Sequence, residues 1–190
     1  MGRAVIEWPQ IGTVHVRGGR KVSVTLRKWL EADIDDVAGY ASNKKIFDGM
    51  RDAFPYPYRR QDAREYILSC IGDDETKSCR RAVLFEGRLA GSIGAFLQND
   101  VYRRSAEIGY WIAEPFWGKG IAGAAIRQLC DHVFGVWDVV RLFAEPYADN
   151  AASRKALEKA GFALEGVMRN GVYKNGRLQD YCMYALLKEE

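Results

Sequence analysis

Apolar residues recur at helical spacing most clearly from Ile121 onward. Ile121, Ala122, Ala125, Ile126, Leu129, Cys130, Val133 and Phe134 share one face, while Arg127, Gln128, Asp131 and His132 take the other. This predicts a long amphipathic helix with His132 on its solvated side. Elsewhere the period is two. Val14, Val16, Val22, Val24 and Leu26 alternate with polar residues over 13–27, interrupted by Arg17, Gly18, Gly19 and Arg20, which predicts a hairpin or two short strands. Strands are also predicted over 81–86, 89–97 and 106–112, with Glu86-Gly87 and the polar 98–105 segment as turns. Short links between consecutive strands imply an antiparallel meander.

The remaining elements follow from start and stop signals. Asp33 is a candidate cap for a helix to about Asn43, with Ile34, Val37 and Ala38 inward. Residues 61–70 suit another helix, ended by Gly72, Asp73 and Asp74. In Phe54-Pro55-Tyr56-Pro57-Tyr58 each proline forces its predecessor to be extended, so three rings stand on a non-helical segment. They either pack or line a substrate pocket. A strand over 141–146 after the long helix implies a right-handed parallel crossover. A second helix opens at Asn150 with Ala152, Ala156, Leu157 and Ala160 inward and Gly161 as a left-handed stop. Asn175-Gly176 then joins 162–174 to 177–186 as a hairpin. The expected fold is a single mixed α/β domain over residues 1–190: a mostly antiparallel sheet of about seven strands with helices on both faces.

Composition narrows the function. At 190 residues, 48% hydrophobic and 28% charged, the chain has the make-up of an ordinary globular domain. Net charge is only +3, and the basic residues fall in separated pairs (Arg59-Arg60, Arg80-Arg81, Arg103-Arg104). Solvated faces account for these better than a nucleic-acid surface does. Cys70, Cys79, Cys130 and Cys182 lie far apart with only His15 and His132 as companions, which argues against a metal site and for free thiols in a reducing cytoplasm. Glu7, Pro9 and Gln10 close behind Arg3 are unlike a secretory leader, and no apolar run approaches a membrane span.

The candidate chemistry begins where the strand ending near Pro115 meets the long helix. Trp117, Gly118, Lys119 and Gly120 form a loop whose glycines allow close backbone approach, and the unpaired amides of the helix start point at whatever lies there. Such a junction binds phosphate. It matches neither the G-x-G-x-x-G dinucleotide fingerprint in context nor the G-x-x-x-x-G-K-[ST] loop.

The stretch Trp117 to Ala122 instead resembles the pyrophosphate loop Q/R-x-x-G-x-G/A of the GNAT superfamily of N-acetyltransferases, with Trp117 where Gln or Arg is usual. Further along, Asn150, Ser153, Leu157, Gly161, Phe162, Glu165 and Gly166 stand in the pattern N-x-x-S, L-x-x-x-G-F, x-x-E-G. Together with Glu107 to Trp111 and the closing Asn175 to Asp180, they are similar to the RimJ/RimL-like branch, over roughly residues 20–188. The resemblance implies acetyl-coenzyme A as co-substrate, no metal, and an amine acceptor: a protein N-terminus, or a small amine such as a polyamine, amino sugar or antibiotic. A non-catalytic acyl-CoA-binding module is the alternative of a different class, and pairing of two copies through the terminal hairpin is a further expectation.

By the same resemblance, the strand at 106–112 and the strand at 141–146 part to admit pantetheine. Free amides at Ile112 and Ala113 and a bulge near 109–111 would then hold the cofactor and the thioester carbonyl, with Trp117, Gly118, Lys119, Gly120, Ile121 and Ala122 on the diphosphate and Asn150 on the pantetheine. Alternation puts Glu107 on one face with Gly109 and Trp111, where it is a candidate base for the amine; a surface carboxylate paired with Arg103 or Arg104 is the other reading. Ser153 either assists the helix cap or donates a hydrogen bond to the leaving thiolate. Two proton carriers common in the superfamily are replaced, by Leu157 and Val172, with Tyr173 next to the latter.

Overall fold

Residues 12–15 and 21–189 are described in the computed structural model, and their backbone forms one eight-stranded sheet. The chain runs β1 (Gly12–His15), β2 (Lys21–Arg27), α1 (Ile34–Ala41), α2 (Lys44–Asp48), α3 (Arg60–Ile71), β3 (Ser78–Phe85), β4 (Arg88–Leu97), β5 (Ser105–Ile112), α4 (Ile121–Val136), β6 (Arg141–Ala144), α5 (Ala151–Lys159), β7 (Ala163–Lys174) and β8 (Arg177–Leu187). Strand order across the sheet is β1-β2-β3-β4-β5-β6-β8-β7. The β5–β6 pair is parallel, joined by the α4 crossover; the other neighbours are antiparallel. The count exceeds the expected seven because the opening segment forms two strands; its connecting residues 16–20 and the region 1–11 lie outside the described residues.

Seven consecutive residues of β4, Leu89 to Ala95, are buried, as a strand covered on both faces must be. One face carries Ser92 and Trp111, which are register partners. Tyr66 of α3 hydrogen-bonds Ser92 at 2.8 Å, and the Phe54 ring meets Trp111 at 6.3 Å. The other face carries their neighbours Ile93 and Tyr110, and Tyr110 reaches α5, which packs on α4. Helix α4 buries Ile121, Ala125, Ile126, Leu129, Cys130 and Val133 as its period requires, while Ala122 and Phe134 are half-buried at the margins of the stripe. His132 is half-buried rather than solvated, and burial together with Arg81 holds its pKa below the ordinary value.

Three local expectations are corrected. Asp33 does not cap α1: both carboxylate oxygens receive the Arg27 guanidinium at 2.7 Å, and one also accepts the Leu30 amide. The helix ends at Ala41, because Asn43 caps the separate α2 by accepting from the Lys45 amide. On α5, Ala152 is exposed, and Leu157 and Ala160 carry the burial. The aromatic segment 54–58 mostly packs: Tyr58 is buried against Phe54, and Tyr56 lies on Phe47. Tight turns fall where Gly supplies left-handed backbone, at Glu86-Gly87 and Asn175-Gly176, with both residues of each pair at positive φ. Among the described residues no helix is long and apolar enough to cross a membrane, all four cysteines are free, and no cluster of three metal-ligating side chains occurs.

Candidate functional site

The parallel pair β5–β6 holds together for three residues only, Ser105 with Arg141, Ala106 with Leu142 and Glu107 with Phe143. β6 then stops at Ala144, short of the expected Pro146. Pro146 has no amide to give a ladder, and its carbonyl accepts from Cys182 as the chain turns to follow β8. β5 continues alone on that side to Ile112. Its other edge is fully engaged with β4: Ser105 accepts from the Gln98 amide and Ala113 donates to the Ala90 carbonyl at 2.8 Å. Alternation between those two bonds turns the amides of Ile108, Tyr110 and Ile112 toward the gap. Of the two amides expected to be free, Ile112 therefore lies on the open edge, and Ala113 does not. The expected bulge at 109–111 is absent; pairing with β4 is unbroken from Ala106 to Ile112.

The gap leads to the glycine loop. Gly118 and Gly120 hold φ of +75° and +78°, conformations that side chains resist, and Gly120 is the residue preceding α4. No side chain caps this helix. Among the described residues no acceptor faces any amide from Gly118 to Gly123, so the first-turn donors of Ile121 and Ala122 are open, with the helix dipole behind them. Lys119 is folded away from them. Its ammonium donates to the Pro115 carbonyl at 3.0 Å and lies over the Phe116 and Phe85 rings at 5.3 and 5.4 Å. Trp117 closes the end of the gap by donating its indole N–H to the Ile112 carbonyl at 2.6 Å.

Across the gap stands the start of α5. Asn150 is the cap, its side-chain oxygen accepting the Ser153 amide at 3.0 Å. That duty leaves Ser153 Oγ to meet the Tyr110 hydroxyl at 2.8 Å, and the same phenol donates to the Ser153 carbonyl at 3.2 Å. Burial pushes Tyr110 up to about 12, with the Ser153 hydrogen bond opposing, so the phenol keeps its proton. Sequence reasoning missed Tyr110 as a site residue, although alternation from Glu107 puts it on the opposite face of β5. Leu157 is fully buried, which removes any proton carrier from that position.

On the first face, at the point of divergence, Glu107 is half-buried. Its partner is neither Arg103 nor Arg104, the latter being paired with Asp138. It is Arg51, from the α2–α3 connection, whose guanidinium donates to both Glu107 oxygens and, at 2.7 Å, to Glu145 just beyond β6. Burial raises the Glu107 pKa, the Arg51 charge and hydrogen bond pull it back, and Glu145 adds to the rise. Arg51 and Glu145 line a cleft of about 230 Å³ with Tyr147, Val172, Tyr173 and Lys174. The cleft wall is fastened by Lys174, which is 1% exposed and bonded to Asp52 at 2.8 Å, and by Tyr147, which donates to the Met50 carbonyl. No local pattern could have disclosed Arg51, fifty-six positions from its carboxylate.

Residues 23–163 match the family model described as an acetyltransferase (GNAT) domain. A Bacillus subtilis protein named "Putative ribosomal N-acetyltransferase YdaF" is 36% identical over 152 residues, covering 80% of this chain and 76% of that protein. A spermidine N(1)-acetyltransferase of Vibrio cholerae is 27% identical, covering 83% and 88% respectively. Among solved structures, RimL, a ribosomal α-N-protein acetyltransferase in complex with coenzyme A, superposes with a TM-score of 0.77 at 23% identity, covering 93% of this chain and 98% of that one.

Proposed function

The chain belongs to the GNAT acetyltransferase family, and from that premise we propose that it carries an acetyl group from acetyl-coenzyme A to the α-amine at the N-terminus of a protein. The observation that carries this reading is the parting of β5 from β6 beyond Glu107, with open-edge amides running down to the unpartnered amides of 118–123. Pantetheine fits the first as an added strand and a diphosphate fits the second. Asn150, committed to its cap through Oδ1, retains its side-chain N–H₂ for a pantetheine carbonyl.

Each chemical task then has a group. The acceptor arrives as an ammonium, and Glu107 takes a proton from it, through a water, before the nitrogen attacks the thioester carbon. An amide of the open β5 edge, in place of the missing bulge, donates to the carbonyl oxygen as it gains charge. The C–S bond breaks and the thiolate receives a hydrogen bond from the Ser153–Tyr110 pair. With the Tyr110 O–H given to Ser153 Oγ, the Ser153 proton is free for sulfur. Lys119 has no direct part in this reading.

Acceptor class is argued from charge. A polyamine asks for carboxylates free to meet a second and a third ammonium. Here Glu107 and Glu145 hold Arg51, and Asp52 holds the buried Lys174. A single ammonium on an otherwise uncharged peptide suits that arrangement better. Release of free thiol from acetyl-coenzyme A is the assay, with tetra-alanine amide, spermidine and putrescine as acceptors. Turnover is expected with the peptide; turnover with the polyamines and none with the peptide would overturn the acceptor assignment.

A further inference from the structure

Two half-buried carboxylates, Glu107 at 22% and Glu145 at 25% side-chain exposure, face one another where the strands part. Like charges so placed repel, and a cation between them is what stabilises both as anions. Arg51 supplies it from a side chain that is itself 62% exposed. The main chain beside Arg51 is held independently, through Tyr147 on the Met50 carbonyl and Lys174 on Asp52. The guanidinium can therefore leave without the loop unfolding.

We propose that Glu107 and Glu145 together are the receptor for the acceptor's ammonium, and that Arg51 is an internal placeholder cation which the substrate displaces. This rests on the acetyl-transfer reading. Glu145 is then a specificity residue that holds the amine in reach of Glu107, and Arg51 keeps the pair charged and closed to weakly binding cations while the site is empty. The groups facing Glu107 are Arg51 from the α2–α3 connection and Glu145 from the end of β6. Farther out, Asp52 and Lys174 neutralise each other, Tyr147, Tyr173 and Tyr181 line the cleft, and Phe96 is the uncharged β4 partner.

The inference separates Arg51→Gln from the wild type in three ways, with tetra-alanine amide as acceptor. KM for the peptide at pH 9 falls about fivefold, because one exposed ion pair no longer competes. The acid limb of kcat/KM moves to higher pH, since the charge that pulled the Glu107 pKa down is gone. Methylguanidinium chloride, which cannot be acetylated on this route, becomes a competitive inhibitor against peptide and leaves KM for acetyl-coenzyme A unchanged. Glu145→Gln raises KM for the peptide with kcat nearly preserved. An Arg51→Gln enzyme with KM, acid limb and methylguanidinium response like the wild type would overturn the placeholder. An unaltered KM in Glu145→Gln would overturn the two-carboxylate receptor. Absence of transfer in the wild type with every amine would instead sink the underlying acetyl-transfer reading.

Discussion

Glu107 is the residue on which environment acts most plainly. Burial disfavours its charge, Arg51 restores part of it, and the net position is above an ordinary glutamate. A carboxyl group with a raised folded-state pKa binds its proton more tightly in the native chain than in the unfolded one. Its contribution to stability therefore falls as pH rises from the unfolded value through the folded one, and is flat above. Activity runs the other way, because the base must be ionised: kcat/KM is expected to drop as pH falls through the folded value. Glu107→Gln is expected to lower kcat by about a hundredfold or more while the protein stays folded, measured as thiol release at saturating acetyl-coenzyme A; an undiminished kcat would remove Glu107 from the role of base. The candidate acid was legible in the chain because alternation along one strand is local information. Its partner was not, since Arg51 meets it through a connection that only the tertiary fold brings close.

Elements that depend on neighbours in sequence came through with little change. Helix α4, the Asn175-Gly176 hairpin and the Gly161 stop of α5, at φ +97°, are local patterns with local causes. Asp33 misled because a carboxylate beside an arginine two turns of chain away prefers that bidentate partner to a cap. The bulge expected in β5 and the free amide of Ala113 failed for one reason: β4 pairs with β5 along its whole length and claims those groups. That close pairing explains Gly91, where an added Cβ would lie 2.2 Å from the Trp111 carbonyl oxygen. Backbone cannot yield as a side-chain tip can. Gly91→Ala is expected to lower unfolding stability by about 3 kcal/mol, read as an earlier urea midpoint; an unchanged midpoint would mean the strands part more easily than this contact implies.

At the scale of the whole molecule, one asymmetry in the sheet organises the rest. Seven neighbour pairings tie eight strands together, and the one parallel pairing is abandoned after three residues. Into that single opening the chain turns the spare amides of β5, the cap of α5, the carboxylate pair on the first face and the uncapped start of α4. The order of motifs made the family legible from the sequence; the identity of the groups that remain unpaired required the fold. The direct measurement is isothermal titration of coenzyme A into the wild-type protein and into Gly120→Asp, which keeps a residue tolerant of left-handed backbone but sets a negative charge beside the open amides. Heat of association with the wild type and its loss in a folded Gly120→Asp protein is the predicted result. No heat with the wild type, or equal affinity in both, would contradict the account.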